Sequence, residues 1–342
     1  FNDKAAEDLE VIMDAMNKDL VPTREASFTP FSFGATIGNT HVIRRKGDSL
    51  GIKSPRKFGY VFGINYKSSN SYFNEGDANV YDLSGSLEEK SELTTQRLMK
   101  SESASQEVLI GSLAKLGFDF NEHHKIGFSF LKNQSGKQSA SISQGNNIDD
   151  EFFYRSRKIG YLERSMNNFI LNGKHEIITN KNPILIDWNG AYTLSAQKEP
   201  DLRFFNDNLD ENGKPEFRPQ NYTGPVRYYR NMEEVSKDLK LDLTFPFSLS
   251  DDRKLILKTG GSYVNKVRVF DEKRLDYGMG SQGTYNGSID DYLSDDNTGY
   301  LGDNGSVIND LGVFVINQTN ELNNYTGNST ISSGYGMAVI PF

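Results

Sequence analysis

From Phe28 onward, apolar and polar positions alternate with a period of two, the pattern of β-strands whose two faces differ. Phe31, Phe33, Ala35 and Ile37 alternate with Ser32, Gly34, Thr36 and Gly38, and Phe58, Tyr60, Phe62, Ile64 and Tyr66 follow the same rule. A third run sets Val108, Ile110, Ala114, Leu116, Phe118 and Phe120 on one face; a fourth sets Ile126, Phe128 and Phe130. A fifth, over 168–178, is less regular. The sixth opposes Ile184, Ile186, Trp188, Gly190, Tyr192, Leu194 and Ala196 to Leu185, Asp187, Asn189, Ala191, Thr193, Ser195 and Gln197. In the seventh, Leu239, Leu241, Leu243, Phe245 and Phe247 oppose Asp238, Lys240, Asp242, Thr244 and Pro246. Runs over 255–270 and 325–340 bring the count to nine strands. The last has Ile331, Tyr335, Met337 and Val339 as its apolar side.

Only residues 5–20 carry a helical period. Leu9, Ile12, Met13, Met16 and Leu20 recur at spacings of three to four, and Pro22 ends the run. Residues 1–26 therefore form a helical segment and linker, and 27–342 form the β-structure.

Strand length separates the β-architectures. Strands of soluble sandwiches average about 5–6 residues, whereas several runs here reach 12 or more. That length suits a tilted strand crossing an apolar band ~25 Å tall. Aromatics near the strand ends, Tyr60 and Tyr66 or Phe245 and Phe247, fit the girdles of such barrels. The expected fold is all-β, an antiparallel transmembrane β-barrel represented by about nine long strands.

Connections alternate in length. Asn121–His124, Thr179–Pro183 and Ser248–Arg253 are tight turns, while 74–104, 133–158, 199–235 and 271–324 read as long loops. Short turns on one side and long loops on the other are the periplasmic and exterior ends of bacterial barrels. By that parity the strand at Phe31–Ile37 runs downward from the outside, so a strand is expected before it. Ile340-Pro341-Phe342 echoes Phe245-Pro246-Phe247 at the lower end of strand seven, as in a segment cut at a periplasmic turn.

Composition narrows the reading. A net charge of −8 and a pI near 5.2 leave no basic excess for nucleic acid. The absence of cysteine excludes disulfides and thiolate metal sites. Aromatics reach 12% with 31 glycines, yet mean hydropathy is −0.59, which suits many long strands joined by polar loops. No stretch approaches the ~20 apolar residues of a membrane helix. The opening Phe1-Asn2-Asp3-Lys4 has no initiator Met and no signal peptide, so the chain reads as a processed product or an excised piece.

The sequence shows no enzyme. HExxH, GxSxG and P-loop spacings are absent, and no Ser, His and Asp are placed as a nucleophile–base pair. The histidines are His41, His123, His124 and His175; His123 and His124 sit in a tight turn beside Glu122, poorly placed to converge on one ion. No catalytic, cofactor-binding or metal residue is assigned, and no cofactor is expected. The loop Asn286–Asp310, with Asp290, Asp291, Asp295, Asp296, Asn297, Asp303, Asn304 and Asp310, has oxygens suited to Ca²⁺ but no EF-hand spacing, and reads as a solvated exterior loop. Phe204, Phe205, Tyr222, Tyr228 and Tyr229 suit stacking on a sugar or aromatic ligand, and equally an ordered loop core. Asp187, Asn189, Thr193, Gln197, Lys240, Asp242, Lys258 and Lys266 should face a wet lumen or a polar plug, since a lipid-facing Lys costs about 2–4 kcal/mol at the midplane.

Two segments carry a family resemblance. Leu162-Glu163-Arg164-Ser165-Met166-Asn167-Asn168-Phe169-Ile170-Leu171-Asn172-Gly173-Lys174-His175 is followed by Asp187-Trp188-Asn189-Gly190-Ala191-Tyr192-Thr193-Leu194-Ser195 and Gln197–Arg203. This hairpin resembles the barrel of TonB-dependent outer-membrane receptors, in the branch with a carboxypeptidase-regulatory-like N-terminal domain. Lys57–Tyr72 resembles an early strand of the same barrels. The resemblance implies a 22-stranded barrel with an N-terminal plug in the cell outer membrane, importing a scarce nutrient (ferric chelate, glycan, peptide or vitamin) with energy passed through TonB. The implied partners are outer-membrane lipids, the TonB system through a plug this chain lacks, and a small-molecule or oligomeric nutrient ligand. A surface lipoprotein partner is left open. A passive porin or adhesin-like barrel and a soluble secreted all-β binding module are the competing expectations.

Overall fold

The computed structural model describes residues 3–43, 56–84, 92–148, 152–179, 182–210, 212–217, 224–250, 253–301 and 311–340. A helix, α1 (Asp3–Ala15), precedes twelve strands. These are β1 (Phe31–Ile43), β2 (Arg56–Asp77), β3 (Val80–Ser84), β4 (Glu92–Asp119), β5 (His124–Asn147) and β6 (Phe152–Ile177), then β7 (Ile184–Leu209), β8 (Pro215–Glu216), β9 (Val226–Ser250), β10 (Arg253–Met279), β11 (Val313–Asn317) and β12 (Tyr325–Val339). A one-turn helix, α2 (Ile289–Tyr292), lies between β10 and β11. All twelve strands belong to one antiparallel sheet in the order β1-β2-β4-β5-β6-β7-β9-β10. β12 and β11 share the free edge of β10, at its lower and upper parts respectively. β1 and β12 form no ladder with each other among the described residues, so the sheet is open.

The nine long strands are the nine that the alternation predicts. The turn Asn121–His124 closes as expected, while parts of Thr179–Pro183 and Ser248–Arg253 lie outside the described residues. In the turn from β4 to β5, the Asn121 side-chain oxygen accepts from the backbone N–H of His123 at 2.9 Å and of His124 at 2.8 Å, which locks the reversal.

The upper ends differ from expectation. The stretches 74–104, 133–158 and 199–235 read as loops, yet most of their residues continue the ladders; the described part of 271–324 is mainly loop, apart from the end of β10 and the short β11. β5 runs on to Asn147 and β6 begins at Phe152, leaving four residues of connection. Ser, Gln, Asn and Lys occupy both faces there, so the alternation vanishes while backbone pairing continues without a register break. The strands thus reach 22–28 residues from β2 to β10, short β3 and β8 apart.

The sheet has a front face, which carries Phe62 and Trp188, and a back face, which carries Asp187 and Asp242; the tight turns form its bottom edge. The row of paired residues through Phe62 runs Ile37, Phe62, Ala114, Phe130, Phe169, Tyr192, Lys237, Asn265. The apolar runs do not follow this row. On β1 the run Phe31–Ile37 centres three residues above the row, and on β10 the run Leu255–Tyr263 centres six below it. The band therefore slips by a little over one residue per strand step on average across seven steps. With ~3.3 Å of rise per residue and ~4.8 Å between strands, the band is inclined by about 40° to the hydrogen-bonding direction. Leu239–Phe247 is about 30 Å long by the same rise, or roughly 23 Å after that inclination. Its side chains are open: Leu239 is 60% exposed, Phe33 60% and Ile64 52%.

The last strand turns its apolar side to the back face. Ile331, Tyr335, Met337 and Val339 pair with Val264, Gly260, Lys258 and Ile256, which share the back face with Asp242. Its front face carries only Ser332, Gly334, Gly336 and Ala338 in the same stretch. Alternation alone cannot say which side of a sheet an edge strand turns to; the register does.

Candidate ligand-binding face

At the level of the apolar band the back face of β7, β9 and β10 is largely polar. Asp187 stands opposite Asp242, Asn189 opposite Lys240, and Thr193 opposite Ser236, with Gln197, Lys258 and Lys266 on the same side. All eight residues expected to line a lumen thus lie on one face. Lys240 and Asp242 pair at 3.2 Å, and Lys174 and Asp187 at 3.6 Å.

Above the band the back face is hollowed. One trough of about 400 Å³ is lined by hydroxyls of Ser103, Ser105, Ser139 and Ser141 together with Lys137 and Lys158. A second hollow, about 310 Å³, is lined by Gln197, Glu199, Arg230, Met232, Phe270 and Glu272. Glu199 borders both, so the two adjoin across β7. Phe270 stacks on Tyr325 with ring centroids 5.6 Å apart.

The wall beside the troughs is a ladder of charges and rings. Arg230 donates to Glu272 at 2.6 Å and to Glu199 at 3.3 Å, and its guanidinium lies 4.4 Å from the Tyr228 ring centre. Arg274, paired to Asp276 at 2.7 Å, approaches the same ring at 5.9 Å. Phe204 meets Tyr228 edge-to-face at 6.1 Å, and the Lys158 ammonium lies 5.6 Å from Phe204. Lys158 has no ion-pair partner among the described residues. Such a surface offers hydroxyl, cationic and aromatic contacts to an incoming polar solute.

Of the five aromatics singled out in sequence, the structure brings together Phe204 and Tyr228 on the back face. Phe205 and Tyr229 turn to the front, and Tyr222 lies outside the described residues. The split has a cause. β7 carries one extra residue between Glu199 and Leu202 relative to β9, a bulge at Pro200-Asp201 that exchanges its two faces. Pro200 was the available signal, since proline inside a long strand points to a bulge.

Above the bulge, front-face residues build a platform that sequence reasoning did not find. Asp207, its side chain fully buried, accepts from Arg155 at 3.0 Å, from Arg157 at 2.9 Å and from the Tyr285 hydroxyl at 2.6 Å. Burial works against the ionised carboxylate, but the Arg155 and Tyr285 bonds and the two guanidinium charges outweigh it and hold Asp207 below the usual carboxylate range. Burial and the bond to Asp207 push the Tyr285 phenol upward. Phe205, Tyr285, Tyr292, Val313 and Val315 pack into a small core with Met13 and Leu20. The described part of the acidic loop is thus ordered: Asn297 donates to the Thr284 and Tyr292 carbonyls, and Ser288 caps α2 through Asp291 N–H.

From this core, residues 17–30 pass along the front face as a strap. Arg203 donates to the Asp19 carbonyl at 2.6 Å, Arg227 to the Asn17 carbonyl at 3.0 Å, and Arg24 to Glu102 at 2.7 Å. Asn70 donates to the Phe28 carbonyl at 2.6 Å, delivering the chain to β1. The described part of the segment 1–26 is fastened to the sheet.

The class that these observations define is an open, all-β antiparallel sheet with long strands and two chemically opposite faces. No family model, curated protein or solved structure matches the chain.

Proposed function

We propose that this chain is the membrane-crossing sheet of an outer-membrane receptor and transporter of the TonB-dependent kind, taking up a scarce polar nutrient. The inclined apolar band carries the reading. Its tilt of about 40° and height of roughly 23 Å match the tilt and apolar belt of outer-membrane strands. A contiguous apolar face of this size on a soluble monomer would be far beyond the few hundred Å² usually exposed. The opposite face holds charges at the same height, as a wet interior requires, and the troughs above it supply a place for the ligand to land. The two open edges, β1 and β12, accept further strands of a larger barrel.

Spin labels test the reading directly in the protein reconstituted in vesicles. Labels at Phe62, Leu241 and Leu257 should be relaxed by oxygen, and labels at Asn189, Thr193 and Lys266 by a water-soluble nickel chelate. Equal access of the nickel chelate to both sets, or a protein that stays folded in plain buffer without detergent, would sink the membrane reading. Uptake that persists after the proton gradient is collapsed would leave a passive pore in place of an energised receptor.

A further inference from the structure

The bottom border of the front face carries an unusual set of polar rings. The Trp188 indole N–H donates to His175 Nε2 at 3.1 Å, and His175 Nδ1 lies 3.2 Å from His124 Nδ1. An indole nitrogen can only donate, so His175 Nε2 must be bare and its proton must sit on Nδ1. That proton is given to His124 Nδ1, which leaves the His124 proton on Nε2. The three rings form one directed chain, and the His124 Nε2–H has no partner among the described residues.

The surroundings set the charge of this border. His41, Arg56, His124 and His175 all face front at the bottom of β1, β2, β5 and β6. No Asp or Glu of the described strand residues faces front from there to the top of the apolar band. The nearest carboxylates are engaged elsewhere: Glu122 and Glu176 flank His123 at 3.3 and 2.9 Å, Asp119 faces Lys125 at 3.8 Å and Asp187 faces Lys174 at 3.6 Å, these last two pairs on the back. Apolar side chains above, cation-forming side chains at the edge and one free N–H donor make the outline of a lipid whose headgroup is anionic.

We propose that this border docks the phosphate of an anionic phospholipid headgroup, with His124 Nε2–H as the donor and a stronger hold once the imidazole pair takes up a proton. An added proton cannot go to His175 Nε2 without breaking the Trp188 bond, nor to His124 Nδ1 without opposing the His175 N–H. Protonation therefore opens the ring chain and creates a cation facing the headgroups; histidine is the side chain able to do this between about pH 8 and 5. The inference rests on the membrane reading.

Trp188 is the chain's single tryptophan, so its emission reports on its own partner. The intact protein is placed in nanodiscs of phosphatidylcholine, alone or with phosphatidylglycerol, and titrated from about pH 8 to 5. A protonated His175 should quench the indole, and the midpoint should rise by about one pH unit with phosphatidylglycerol, because an anion favours the charged ring. In His124→Gln the lipid-dependent rise should vanish while acid quenching by His175 remains. Equal midpoints in the two lipids overturn the docking site, as does a rise that His124→Gln retains, which would belong to diffuse surface potential. Flat emission in both lipids overturns the ring chain. Protein that folds in buffer and refuses the discs overturns the membrane reading instead, and this one with it.

Discussion

Tyr335 on β12 donates its hydroxyl to Asp242 on β9 at 2.7 Å, reaching across β10 at Gly260. A Cβ at Gly260 would stand 2.4 Å from the Asp242 carboxylate and 2.7 Å from the Tyr335 ring, so the bridge exists because that residue has no side chain. Gly260→Val should break it and loosen the edge strand. Tyr335→Phe, which leaves the packing intact, should cost about 1.5–3 kcal/mol, the range for a hydrogen bond to a charged group. Urea titration of the folded, detergent-solubilised protein reads both; an unchanged midpoint in Tyr335→Phe would mean the bond contributes nothing.

Leu241 and Asn189 occupy neighbouring strands at similar height on opposite faces. On the membrane reading, Leu241→Arg should destabilise the protein by about 2–4 kcal/mol, and Asn189→Arg by much less. Unfolding midpoints in vesicles measure the difference. Similar losses for the two would argue that both faces meet the same solvent.

Asp207 ties acid stability to the platform. Its folded carboxyl titrates lower than an unfolded one, so its contribution is complete above the unfolded value of about 3.9 and fades as pH falls through the lower, folded one. Protease cleavage near Tyr285 should therefore stay slow at neutral pH and accelerate only below about pH 4. Asp207→Asn should expose the site already at neutral pH, with a loss of about 3 kcal/mol or more from the stranded Arg157. Cleavage that follows the same pH course in that variant would remove Asp207 as the cause.

Gly173 lies under the Trp188 indole; a Cβ there would come within 2.4 Å of its Nε1. Gly173→Ala should displace the ring from His175 and red-shift Trp188 emission toward water. If emission keeps its wild-type wavelength, the indole is not held by that contact.

Within the apolar band the sequence is nearly transparent. Phe62, Phe128, Trp188 and Leu241 announce their faces because apolar and polar residues alternate there, and the nine long strands follow. Above the band that demand ends. Asn133–Asn147 is as regular in the sheet as Phe58–Tyr66, yet its polar residues face polar surroundings on both sides and leave no periodic trace. The platform was hidden for another reason. Arg155, Arg157 and Asp207 meet through a one-residue bulge at Pro200-Asp201, and a parity count carried through it assigns Phe205 to the wrong face. The troughs were half visible: Phe204 and Tyr228 stood out as aromatics, while Ser103, Ser141 and Lys158 are unremarkable until three strands bring them side by side.

The strap sets an order of events. Lys18, Arg203 and Arg227 join residues separated by 277, 184 and 210 positions in the chain. Its seats on β7, β9 and the segment after β10 do not exist until those strands have found their neighbours. Residues 17–30 are made early and must wait, and their docking across the finished sheet is the step that certifies its upper half as assembled.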